Sequence, residues 1–207
     1  MGTTTDKLNR LINTKEGIRQ EINRAYNTEE IGTSDTFNSY IQKLEEHPFY
    51  IMRYIERSIE SIKLSNVTSI GEGAFRGCSG LTEVSIPNAK SIGNYAFQDC
   101  SGLTSVSFPL ATSIGQKAFQ SCSSLTSVSF PVATSIDSNA FDSCSSLTTI
   151  YVGTNTSTVC TLSDTSAFSN CSNLANIYVP ASLVDSYKSA TNWSNYADKI
   201  KATPESL

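Results

Sequence analysis

The sequence predicts an α/β repeat solenoid, a stack of coils each made of one strand and one short helix, with a helical module before it and a helical cap after it. Three observations predict this: a 22-residue period, two different apolar spacings inside each period, and a sharp fall in charge where the period begins. Along the 207 residues, Ile70, Ile92, Ile114 and Ile136 recur in phase. So do Phe75, Phe97, Phe119 and Phe141, then Cys78, Cys100, Cys122 and Cys144, then Leu81, Leu103, Leu125 and Leu147. A further copy returns 27 residues on at Phe168, Cys171 and Leu174, which places the five extra residues in the Thr- and Ser-rich stretch Gly153–Thr165, expected as a loop. A half-copy comes earlier, with Ile59, Ile62, Leu64, Asn66 and Ile70 in the places of Leu81, Val84, Ile86, Asn88 and Ile92. A period of 20–29 residues with a Leu-x-x-Leu-x-Leu core marks units that bury their apolar faces only by stacking.

The first element is the module over residues 1–57. Residues 1–66 hold 9 of the 15 basic and 10 of the 19 acidic residues, whereas 67–180 hold 3 and 6, so a boundary falls near residue 57. Thr5 or Asp6 suits a helix cap, and Leu8, Leu11, Ile12, Ile18, Ile22 and Ala25 then form a stripe. Phe37, Tyr40, Ile41 and Leu44 mark a second short helix over Asp35–Glu46, and Pro48 opens a third. These helices either cap the open end of the solenoid or join copies of the chain into a homo-oligomer.

The solenoid is expected over residues 58–180. In Leu103-Thr-Ser-Val106-Ser-Phe108 the apolar residues alternate with serines, which is strand spacing, and Pro109 ends the strand because it lacks the next ladder donor. Ile114, Ala118, Phe119, Cys122 and Leu125 follow at helix-like intervals. Residues 181–207 are expected as a cap with one helix led by Ser182, burying Leu183, Val184 and Tyr187, and with Trp193, Tyr196 and Ile200 covering the last coil.

The unit Ser91-Ile92-Gly93-Asn94-Tyr95-Ala96-Phe97-Gln98-Asp99-Cys100-Ser101-Gly102-Leu103-Thr104-Ser105-Val106-Ser107-Phe108-Pro109 resembles the BspA-type leucine-rich repeat, with its I-G-x-x-A-F-x-x-C-x-x-L-x-x-V-x-[IF]-P pattern. The likeness runs from about Ile59 to Pro180, and Val179–Lys188 followed by Trp193 is similar to the family's closing segment. The resemblance implies a right-handed solenoid of five to six coils, a bacterial or phage source, surface-associated binding and no catalysis. The segment Thr4-Thr5-Asp6-Lys7-Leu8-Asn9-Arg10-Leu11 and the later Asp35-Thr36-Phe37 resemble the N-terminal part of phage and prophage tail-associated proteins, which would imply a place on a virion.

Composition narrows the function. Charged residues are only 16% of the chain, and 55 residues are Ser or Thr. A net charge of −4 disfavours nucleic acid as a partner. No apolar run reaches the length of a membrane span, so membrane insertion is not expected. The N-terminus lacks the charged-then-apolar layout of a signal peptide, which favours a virion-associated or cytoplasmic protein over a classically secreted one.

Five of the six cysteines share one repeat position and should form a buried ladder of thiols; their side chains would point alike, a poor geometry for disulfides. Cys160 breaks the pattern and is expected to be the exposed thiol of the inserted loop. His47, the sole histidine, lies in the helical segment, away from any nucleophile. Gly71, Gly73 and Gly77 fall at turn positions with the wrong spacing for a phosphate loop. No metal, cofactor or catalytic group is expected. The expected binding surface is the outward row of the strands: Ser61 and Lys63, Glu83 and Ser85, Ser105 and Ser107, Ser127 and Ser129, Thr149 and Tyr151, Asn176 and Tyr178. Tyrosine offers contact area and a hydroxyl at low entropic cost, so Tyr151, Tyr178 and the adjoining loop are the expected edge. The function expected is attachment to a cell-surface protein or glycan; the alternative is an intracellular module that grips one protein.

Overall fold

The computed structural model describes residues 60–204. The expected helical module over residues 1–57, with His47, lies outside them. Two parallel sheets wind together through the described residues. The longer contains β1 (Ser61–Lys63), β3 (Glu83–Ser85), β5 (Ser105–Ser107), β7 (Ser127–Phe130), β9 (Thr149–Val152), β11 (Asn176–Val179) and β12 (Ile200–Ala202), paired in that order. The shorter contains β2 (Ser69–Ile70), β4 (Ser91–Ile92), β6 (Ser113–Ile114), β8 (Ser135–Ile136) and β10 (Thr161–Leu162). Each strand pairs one repeat further on, Val106 with Val128 and Ser113 with Ser135, so like residues stack on like. The strand alternation buries Val84, Val106 and Val128 and turns the flanking serines outward.

Pro87, Pro109 and Pro131 each start a turn between the two sheets. Ala111 N–H donates to the Phe108 carbonyl at 3.2 Å, with Pro109 in the second position, where its fixed φ suits the turn. Ala89 and Ala133 close the same turn after Pro87 and Pro131.

The solenoid is as expected, but its second half is not helical. A single turn of 3-10 helix, Thr165–Phe168, stands there in the coil leading to β11; in the preceding coils the segment is a run of tight turns. The reason lies in the backbone. Tyr95 and Asp99, Lys117 and Ser121, and Asn139 and Ser143 all adopt φ between 54° and 62°, and Gly73 and Gly77 do the same work in the first coil. A left-handed residue every fourth position interrupts a helix. Backbone donors then alternate: Ala96, Gln98 and Cys100 bond back to Gly93, Tyr95 and Phe97, while Tyr95, Phe97 and Asp99 bond forward to Gln116, Ala118 and Gln120 of the next coil. A helix would satisfy these groups internally and leave neighbouring coils unlinked.

The core is a set of ladders. Phe75, Phe97, Phe119, Phe141 and Phe168 stack with centroids 5.1–5.6 Å apart, and Phe108 and Phe130 form a second short stack against them. The thiols of Cys100, Cys122, Cys144 and Cys171 each donate to the carbonyl of a phenylalanine in the preceding coil, at 3.0–3.2 Å. No disulfide joins the described cysteines. The hydroxyls of Thr104, Thr126 and Thr148 donate to the carbonyl one repeat earlier. The abundance of hydroxyl residues thus has a structural use: they tie coil to coil at the edges of the apolar core.

The C-terminal segment covers the last coil with more pieces than one helix. A 3-10 turn at Ala181–Leu183 leads into α1 (Val184–Ser189), then a second 3-10 turn at Trp193–Tyr196, then β12. Tyr187, Trp193 and Ile200 are buried, while Leu183, Val184 and Tyr196 are half-buried. The rings of Trp193 and Tyr196 pack on Phe168 at 5.9 and 5.3 Å and end the phenylalanine stack. Cys160 is fully buried, contrary to the expectation of an exposed loop thiol. Its N–H donates to the Tyr187 hydroxyl, its carbonyl accepts from the Trp193 indole at 2.6 Å, and the next two residues form β10. The inserted stretch is therefore clamped beneath the cap at its far end.

Candidate functional site

The outward row of the longer sheet is set by strand alternation and by the repeat register. Two columns run across it. One reads Ser61, Glu83, Ser105, Ser127, Thr149, Asn176; the other reads Lys63, Ser85, Ser107, Ser129, Tyr151, Tyr178, Lys201. Residues in a column sit one strand apart, so each side chain lies beside its counterpart in the next repeat, and long side chains also reach diagonally into the other column.

At one end Lys63 and Glu83 form an ion pair at 3.3 Å, with both side chains more than half exposed, so it neutralises charge more than it stabilises. At the other end the rings of Tyr151 and Tyr178 stack at 5.0 Å with an interplanar angle of 19°. Beyond them Lys201 Nζ donates to Asn176 Oδ1 at 2.5 Å.

Between these ends the side chains are serines, and the surface is hollow. A groove of about 590 Å³ lies over β3, β5 and β7. Ser85, Ser105, Ser107, Ser127 and Ser129 line it, Val84, Val106 and Val128 contribute to its floor, Pro87 and Pro109 stand at its side, and Tyr151 and Glu83 border it. Of the residues expected from sequence, Glu83, the five serines and Tyr151 meet in this groove. Ser61, Lys63, Thr149, Asn176 and Tyr178 share the sheet face but not the groove. The stretch Gly153–Thr165 does not line it either: Asn155 N–H bonds to the Pro131 carbonyl, and Thr156 Oγ1 bonds to Gly153 and Thr158 carbonyls. The two prolines and Lys201 were missed by sequence reasoning. The prolines have a signal, since they repeat with the strands; Lys201 has little, because β12 lies outside the repeat.

No group of three or more His, Cys, Asp or Glu side chains able to hold a metal occurs among the described residues. Burial pushes the thiols of Cys160 and Cys171 up to about 12 and that of Cys122 well above its ordinary range, so they are poor nucleophiles. No helix among the described residues is long and apolar enough to cross a membrane.

A family model described as BspA type Leucine rich repeat region matches residues 53–162 and 90–201, in six copies. A leucine-rich repeat protein from Bacteroides ovatus is similar in structure, with a TM-score of 0.58 and 28% identity over 73% of this chain and 38% of that one. The T. pallidum leucine-rich repeat protein is similar with a TM-score of 0.53 and 25% identity, over 71% of this chain and 75% of that one. The chain thus spans well under half the length of the Bacteroides protein. Among curated proteins none matches the chain.

Proposed function

We infer that this chain, which belongs to the BspA-type leucine-rich repeat family, is a binding module that attaches to a cell-surface protein or glycan through the outward face of its longer sheet. The observation that carries the reading is the groove itself. Among the described residues one outward column is serine on three consecutive strands, Ser85, Ser107 and Ser129, and Ser105 and Ser127 stand beside it, leaving a hollow between an ion pair and a tyrosine stack. Its serines stand on strand backbone locked by parallel pairing, so a ligand finds it already formed and loses little in ordering it. The groups present offer shape, hydroxyls and an aromatic ring, the means of recognition rather than of bond-breaking.

The attachment reading also accommodates the resemblance of the N-terminal segment to phage tail-associated proteins; that segment and its part in assembly lie outside the described residues. The test is the Tyr151→Ala, Tyr178→Ala double variant in a cell-binding assay. Both side chains lie on the surface, so the variant should fold and lose binding. Undiminished binding by a folded double variant would remove this face from the function.

A further inference from the structure

We propose that the groove takes the terminal ring of a neutral glycan, with one apolar face of the sugar stacked on Tyr151 and its hydroxyls on the serine floor. This rests on the sheet-face reading above and names the ligand class for it.

Tyr151 of the tyrosine column forms one wall of the groove. Tyr178 covers one face of the Tyr151 ring at 5.0 Å. On the opposite side the register places Ser129, then Ser107 and Ser85. The ring stack therefore ends at Tyr151, and the next positions in the same column are vacated by three serines. The hollow that results, about 590 Å³, has room for a six-membered ring laid against Tyr151 and for part of its neighbour.

The floor decides what kind of ring. Each serine hydroxyl both donates and accepts, and the floor offers a row of them. An aromatic side chain of a peptide would satisfy Tyr151 but strip water from these hydroxyls and return nothing. A pyranose satisfies both surfaces, because its C–H face is apolar and its rim carries hydroxyls. Charge narrows the class further. Glu83 is the charged group lining the groove, and its carboxylate is already matched by Lys63 at 3.3 Å. A sialic acid or uronate would meet a carboxylate there and no unpaired cation among the lining residues.

The experiment presents the full chain to immobilised oligosaccharides ending in neutral hexoses or N-acetylhexosamines, beside sialylated counterparts, with cell binding measured in parallel. Three variants are compared after thermal melts confirm folding: Tyr151→Ala, Tyr151→Phe and Ser129→Tyr. The last continues the tyrosine column into the groove and fills it. The expected result is retention on neutral termini and not on sialylated ones, weakened about tenfold or more by Tyr151→Ala, as loss of an aromatic stack implies. Ser129→Tyr should abolish it and Tyr151→Phe should keep most of it. Failure to bind any neutral terminus, or binding that neither Tyr151→Ala nor Ser129→Tyr reduces, overturns the proposal. If cell binding then still falls with the Tyr151 and Tyr178 changes, the sheet face survives with a protein ligand; if it does not, both readings fall.

Discussion

The hydroxyl of Tyr187 accepts the backbone N–H of Cys160 at 2.9 Å, joining the helix of the C-terminal cap to the stretch inserted between the last two repeats. Both groups are buried, and burial pushes the Tyr187 phenol up to about 12, so it stays neutral across the working range. Tyr187→Phe keeps the ring and leaves the N–H without its acceptor. The expected cost is about 1–3 kcal/mol, with each kcal/mol lowering the melting temperature by about 2–4 °C at this chain length. Urea unfolding midpoints of the two proteins check it; equal midpoints would mean that another group takes over the N–H.

The thiols should be nearly inert in the folded protein. Reaction with a disulfide reagent at pH 8 needs thiolate, and burial holds Cys160 and Cys171 near pKa 12. Cys171, the half-buried one, should react first and slowly, and Cys160 should wait for unfolding. Rapid labelling of Cys160, read by peptide mass, would contradict the clamp beneath the cap.

The phenylalanine spine should show a position effect. Phe119 is fully buried between Phe97 and Phe141 and touches Phe108 and Phe130 as well. Phe119→Ala should cost about 3–5 kcal/mol. Phe75, at the start of the described stack and slightly more exposed, should lose less by the same change. Denaturant titrations order the two; a larger loss at Phe75 would put the weight of the stack at its end instead.

Asp142 gives the stability a pH dependence. Partial burial opposes its charge, but hydrogen bonds from Gln120, Asn170 and Ser143, with Lys117 nearby, outweigh this and hold the carboxyl below its ordinary range. A depressed folded-state pKa means the unfolded chain takes up the proton first, so this contribution is complete above about pH 4 and fades as acid reaches the folded-state pKa. Asp142→Asn should therefore lose stability at neutral pH and show a flatter decline on the acid side. Melts from pH 7 to pH 2 test it; parallel curves would assign the acid sensitivity elsewhere.

The repeat, the inward residues and the outward row were legible because each is a one-dimensional pattern, and in-register stacking preserves it in space. Ile92, Phe97, Cys100 and Leu103 could be placed in the core without knowing what backbone carried them. The backbone itself misled at Ile114–Leu125. Successive tight turns put apolar residues four to five apart, as a helix does, and the left-handed φ values of Lys117 and Ser121 have no residue signature, since neither is glycine or asparagine. β12 was invisible for another reason: Ile200–Ala202 is three residues long and is recruited by the open edge of β11, a tertiary cause. Cys160 was misread because loop length says nothing of what covers the loop. The groove was half legible. Its serines were on the expected row, but that they share one hollow with Tyr151, Pro87 and Pro109 is a matter of three-dimensional placement.

Because the strands β1 to β11 of the longer sheet each pair with the one a repeat away, the groove has a length counted in whole coils. Recombination between near-identical segments such as residues 92–113 and 114–135 would add or remove one coil cleanly. Such an event moves the Lys63–Glu83 pair and the Tyr151–Tyr178 stack apart or together by one strand spacing, about 4.8 Å, while leaving each end intact. Variants of this chain in a population would thus differ in the length of this hollow through copy number alone, with no change to any residue at either border.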